Sequence, residues 1–158
     1  MINIKKNSAL TNTVNDEKFM KLAIEEAKNA PFPFGCVLVK DNQIIATGKS
    51  GETNNFDPTA HAEINAIRSA CEKLNSKELL GVTLYSTCEP CPMCLSASWW
   101  ANISRIVFGI SLEESSKLFG PEILVSADYL NGKGANKIEI KGGVLKEEVI
   151  KLYDRSEN

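Results

Sequence analysis

Histidine is nearly missing from this chain: its 158 residues include one, His61. Arginine is almost as scarce, at positions 68, 105 and 155 alone. Basic and acidic groups nearly cancel, 18 against 20, for a formal net charge of -2. A chain with few guanidinium groups and no positive excess lends no support to a nucleic-acid partner, although a local basic patch stays open. No apolar run approaches the roughly 20 residues that span a bilayer. The opening Met1-Ile2-Asn3-Ile4-Lys5-Lys6 is not followed by an apolar stretch, so no signal peptide is expected. Repeats, low-complexity tracts and linkers are also absent, so one domain is expected over 1–158. The five cysteines are an odd number, poorly suited to a disulfide framework. With two of them in a C-x-x-C, they point to a reducing compartment and metal use, and a cytoplasmic location is the expectation.

What is present reads as an α/β chain. Residues 1–15 are polar and are expected to be a poorly ordered lead-in. Asp16 is the expected N-cap of a helix over 16–28, with Phe19, Met20, Leu22, Ala23, Ile24 and Ala27 on its apolar face. Strands are expected at 36–40 and 43–48, turned by Asp41-Asn42, and then at 81–86, 105–109 and 137–140. Helices are expected at 60–74, from Cys91 to about 100, at 112–118 and at 144–153. The segment 122–130 is ambiguous, and Asn131-Gly132-Lys133-Gly134 reads as a flexible turn. Strands alternating with helices predict an α/β sandwich.

Two short stretches concentrate the chemistry: His61-Ala62-Glu63, and Pro90-Cys91-Pro92-Met93-Cys94. Both open helices. Proline is tolerated in a first helical turn, and a C-x-x-C placed there points both thiols the same way. The positive helix end favours thiolates. A catalytic zinc takes three protein ligands and leaves one position for water. His61, Cys91 and Cys94 make three, and Glu63 is then suited to moving the water's protons. Two other readings remain. A C-x-x-C can be a redox pair, or Cys88 can join as a fourth ligand of a structural zinc knot. The knot leaves Glu63 without a role, places Cys88 before the helix, and sits badly in a regular α/β pattern.

The motif Asp57-Pro58-Thr59-Ala60-His61-Ala62-Glu63-Ile64, with Leu84-Tyr85-Ser86-Thr87-Cys88-Glu89-Pro90-Cys91-Pro92-Met93-Cys94, resembles the cytidine and deoxycytidylate deaminase-like superfamily. Ala66-Ile67-Arg68-Ser69-Ala70-Cys71, Pro33-Phe34-Gly35 and the pair Trp99-Trp100 make it most similar to the guanine deaminase branch. The resemblance covers about 19–107. It implies a three-layer α/β/α sandwich with a central five-stranded mixed sheet, and a homodimer. It also implies that His61, Cys91 and Cys94 bind Zn2+, that Glu63 is the catalytic proton shuttle, and that the Ala62 backbone N–H meets the substrate. Ser50 stands where the family carries a substrate-holding asparagine. A second relay carboxylate is expected near Glu113 or Glu114. Phe32 and Phe34 either stack on a planar base or belong to the core. Trp99 and Trp100 point about 100° apart on a helix, so one is expected in the core or a dimer interface.

The implied activity is zinc-dependent hydrolytic deamination of a nucleobase or nucleoside, with guanine or a related aminopurine favoured. Two alternatives stand beside it. A tRNA-specific adenosine deaminase shares the motifs and Arg105-Ile106-Val107-Phe108-Gly109, but needs a basic surface for phosphates. A zinc-stabilised binding module needs no catalytic carboxylate.

Overall fold

The computed structural model describes the backbone of residues 4–155 and the side chains of residues 15–154. In chain order the elements are α1 (Ile4–Lys28), β1 (Gly35–Lys40), β2 (Gln43–Lys49), α2 (Glu52–Asn55), α3 (Ala62–Leu74), β3 (Thr83–Cys88), α4 (Pro92–Trp100), β4 (Arg105–Ile110), α5 (Leu112–Leu118), α6 (Ala127–Lys133), β5 (Glu139–Lys141) and α7 (Lys146–Ile150). A 3-10 turn at Lys151–Arg155 follows α7.

The five strands form one mixed sheet in the order β2-β1-β3-β4-β5. Strand β1 is antiparallel to both β2 and β3, while β3, β4 and β5 run parallel. Reversing only β1 sends the C-terminal ends of β2, β3 and β4 to one edge. Three connections therefore leave the sheet side by side. Asp41 and Asn42, both at positive φ, make the tight β1–β2 hairpin that this topology needs.

Side-chain alternation sorts the strands onto two buried faces. Cys36, Leu38, Leu84 and Ile106 face α3, α4 and α6. Val37, Val39, Tyr85 and Val107 face α1 and α7. The result is a sheet between two helical layers, as the sequence resemblance implies. Two glycines set the closest approaches. A Cβ on Gly35 would stand 2.1 Å from the Ala23 carbonyl oxygen of α1, and one on Gly48 would stand 2.1 Å from the Ala62 carbonyl oxygen of α3.

Several expected boundaries move. Helix α1 begins at Ile4, so Asp16 lies inside it and is no N-cap. The lead-in expected over 1–15 falls mostly on residues whose side chains lie outside the described set. Asp16 is buried and accepts hydrogen bonds from Arg105, Lys141 and Tyr85. Strand β3 begins two residues later than expected, because Gly81 takes a positive φ and ends a turn there. The turn expected at 131–134 is largely helical: Asn131, Gly132 and Lys133 close α6. The Asn131 side chain bonds both the N–H and the carbonyl of Ile138, a tertiary tie that local propensity does not reveal. Helix α7 is shorter than the expected 144–153, since Leu145 sits in the left-handed region and the last turn tightens to 3-10. Among the described residues, no helix is long and apolar enough to cross a membrane.

Candidate active site

Both chemistry-bearing stretches lie at the edge where β2 and β3 end. The chain leaves β2, makes the short helix α2, and enters α3 through His61. It leaves β3 through Glu89-Pro90 and enters α4 through Cys91. His61 and Cys91 occupy the same position in their helices: each is the N-cap, in extended backbone, at φ/ψ of -63/156 and -62/168. Cys94 follows on the first turn of α4. The N-termini of two helices thus converge on one point.

His61 Nδ1 lies 3.7 Å from the Cys91 Sγ and 3.6 Å from the Cys94 Sγ. All three ligand atoms lie within 4.8 Å of one another. Nitrogen at about 2.0 Å and sulfur at about 2.3 Å from a tetrahedral zinc stand about 3.5 Å apart. The residues fit zinc in donor type and in spacing. Their proton chemistry agrees. The hydrogen bond from Cys94, ahead of the His61 contact, lowers the Cys91 thiol to about 4. The same bond, with burial, pushes Cys94 far upward. The Cys91 contact raises His61 to about 9. Two thiols and an imidazole this close compete for protons, and a divalent cation relieves the competition by displacing them.

Glu63 lies beside the triad and is 6% exposed. Burial first, and the Cys91 charge second, raise its carboxyl above the usual range. Ser86 donates a 2.8 Å hydrogen bond to Glu63 Oε1, which fixes one oxygen of the carboxylate. A proton-transferring group needs this combination of fixed geometry and raised affinity.

A cavity of about 260 Å3 opens over this group. His61, Ala62, Glu63 and Cys91 form its floor, and Phe32, Phe34 and Phe119 contribute aromatic walls. Phe119 packs edge-on to both other rings, with centroids 5.5 and 5.1 Å away. Among the sequence-predicted contacts, Ala62 and Phe34 border the cavity. Ser50 does not: it is buried and its hydroxyl bonds the Phe32 backbone N–H and carbonyl at 3.3 Å each. Glu114 is also turned away. It closes a capping box with Ser111 at the start of α5 and pairs with Lys146. That capping box is written in Ser111-Leu112-Glu113-Glu114 and was a legible signal. Glu113 is exposed and pairs with Lys117.

Cys88 borders the cavity but stands outside the metal triad. It is the last residue of β3, and burial pushes its thiol well above the usual range. Neither tryptophan reaches the His61 cavity. Both line a separate cavity of about 210 Å3 with Leu95 and Leu130, and Trp100 is exposed.

Sequence reasoning missed three carboxylates here. Glu89 takes backbone N–H groups of Leu112 at 2.9 Å and Ala127 at 2.7 Å, which pins α5 and α6 to the rim. Glu122, in the irregular segment after α5, borders the cavity, and its carboxyl is raised by burial and by the Cys91 charge. Glu52 borders it from α2. Their residue types and local spacing carry no such signal; only the paths of their loops do.

Residues 13–110 match the cytidine and deoxycytidylate deaminase zinc-binding region. The chain belongs to this family. It is 47% identical over 100 residues to the guanine deaminase of Bacillus subtilis, across 60% of this chain and 64% of that protein's length. It is 40% identical over 142 residues to a tRNA-specific adenosine deaminase of Buchnera aphidicola, across 87% of this chain and 85% of that protein. A solved structure from work on tRNA:A34 deaminases superposes with a TM-score of 0.74 at 33% identity, over 85% of this chain and 98% of that one. By family the chain is a zinc-dependent hydrolytic deaminase.

Proposed function

We propose that this protein deaminates guanine or a closely related small aminopurine. The observation that carries the reading is the lining of the cavity. Glu52, Glu63 and Glu122 border it, three aromatic rings wall it, and among the described residues no lysine or arginine contributes to it. A phosphate brought here meets carboxylates, whereas a neutral, flat, donor-rich heterocycle finds acceptors and ring faces.

His61, Cys91 and Cys94 would hold the zinc, which would supply Lewis acidity to activate water. Glu63 takes the proton of the attacking water and delivers it to the ring nitrogen beside the carbon that bears the amine. Ser86 holds Glu63 Oε1 during this transfer. Glu122, which borders the cavity where Glu113 and Glu114 do not, is the group that helps carry a proton to departing ammonia. The rings of Phe32, Phe34 and Phe119 hold the base flat and exclude water. The test is ammonia release from guanine, guanosine, adenine, adenosine, cytosine and cytidine. Turnover confined to pyrimidines would end the reading.

One observation favours tRNA adenosine deamination instead: similarity to the tRNA-specific relative extends over 87% of this chain, against 60% for guanine deaminase. Inosine formation in an anticodon stem-loop, with no ammonia from free purines, would select that reading.

A further inference from the structure

Glu52 opens α2, in the loop between β2 and α3. Its side chain is 21% exposed and stands beside His61, with Oε1 3.7 Å from Nε2. Its second oxygen, Oε2, is buried, and among the described residues it is the buried side-chain N or O atom that has no hydrogen-bond partner. Buried polar atoms are satisfied in the great majority of cases, so an orphan bordering a cavity points to a partner that arrives with a ligand.

The two oxygens have different tasks. His61 turns Nδ1 toward both sulfurs. With Nδ1 given to the metal, the ring's remaining proton sits on Nε2, which faces Glu52 Oε1. Oε1 faces Nε2 at 3.7 Å, an electrostatic pairing longer than a hydrogen bond, and Oε2 is the unpaired oxygen of a side chain that borders the cavity. The rest of the loop offers no substitute. Ser50 spends its hydroxyl on the Phe32 backbone, and within residues 50–60 Glu52 alone borders the cavity.

We infer that Glu52 is a specificity-determining residue: its Oε2 accepts a ring N–H of the substrate, selecting neutral purine bases that carry that donor. The inference rests on the deaminase reading above and narrows its substrate class. It also follows that methylating the engaged ring nitrogen removes the partner and leaves Oε2 buried and unpaired, so discrimination is strong.

The informative variant is Glu52→Gln. It keeps the shape of the side chain beside His61, removes its charge, and replaces one acceptor oxygen by an N–H2 donor. Binding is measured by calorimetry on zinc-loaded protein that carries Glu63→Gln to stop turnover, with and without Glu52→Gln. The ligands are guanine, 1-methylguanine and 9-methylguanine, and zinc content is measured in parallel. The expected result is equal zinc in both proteins, a 10- to 100-fold weaker Kd for guanine with Glu52→Gln, and less than a twofold change for one of the two methylated bases. An equal change for all three bases, with or without zinc loss, would overturn the inference, because Glu52 would then act through His61 alone. A change below threefold for guanine, or no guanine binding to either protein, would overturn it as well. Ammonia release by the unaltered enzyme is scored separately. Guanine that binds through Glu52 yet is not turned over refutes guanine deamination while leaving the contact standing.

Discussion

Replacing Asp16 by asparagine should destabilise the fold without touching the chemistry. Asp16 is 1% exposed and collects four donors from three strands: Arg105 Nη1 at 2.6 Å and Nη2 at 3.0 Å, Lys141 Nζ at 2.8 Å, and the Tyr85 hydroxyl at 3.0 Å. It ties α1 to β3, β4 and the end of β5. Removing one partner of a buried ion pair costs about 3–5 kcal/mol, since the other charge stays in a poor solvent. The lower end applies here. Lys141 is 38% exposed and can return to water, while Arg105 keeps Glu139 at 3.0 Å. About 3 kcal/mol corresponds to a fall in Tm of about 6–12 °C for a chain of this size. Thermal unfolding followed by circular dichroism measures it. The pH dependence gives a second check. Burial raises the Asp16 carboxyl, but the Arg105 and Lys141 contacts outweigh it and hold the group below its usual 3.8. A lowered folded-state pKa contributes stability that is complete above the unfolded value and lost as pH falls through the folded one. The Tm gap between wild type and Asp16→Asn should therefore be constant above about pH 5 and close below pH 4. Arg105 begins β4, and the active site lies at the other end of the parallel strands, so turnover at 25 °C should be unchanged. A Tm loss under about 3 °C, or activity lost while the fold persists, would refute the reasoning.

Other outcomes follow from the site. Glu63→Gln should retain zinc and lose about 10²–10⁴-fold in kcat; normal turnover would remove Glu63 from the mechanism. Chelation should abolish ammonia release while far-UV circular dichroism stays near native, with activity restored by added zinc; unfolding on chelation would mark the metal as structural. Cys88→Ser should leave zinc stoichiometry unchanged, because Cys88 stands outside the triad, and a loss of metal would revive the four-ligand knot. Gly48→Ala places a Cβ 2.1 Å from the Ala62 carbonyl oxygen and 2.6 Å from the Ala66 nitrogen. The start of α3 must then shift by about 1 Å, a displacement worth about 10²-fold in activity. Unaltered kcat/KM in that variant would show that α3 is not held by this contact.

The metal triad and Glu63 were readable because their geometry is mostly local. A C-x-x-C on a first helical turn, and a His-x-Glu on another, set side-chain directions within four residues. The strands were readable because alternation and β-branched runs report a two-sided sheet. Two of the misread residues take their partners from elsewhere along the chain. Asp16 looks like a good N-cap until Arg105, Lys141 and Tyr85 arrive from 69 to 125 residues away. Ser50 occupies an alignment position suited to substrate contact, yet the turn at Phe32 claims its hydroxyl.

Sequence alone thus determined the candidate metal triad, the carboxylate two residues from its histidine and the layered α/β class, because short-range spacing and periodicity dictate them. Tertiary structure decided which other carboxylates border the cavity. It brought Glu52 and Glu122 to the cavity, turned Glu114 to a helix cap, and left Cys88 outside the triad. The physical reason is that a loop's path is set by the contacts at its two ends and along the surface it crosses, and local residue preferences do not encode where those contacts lie.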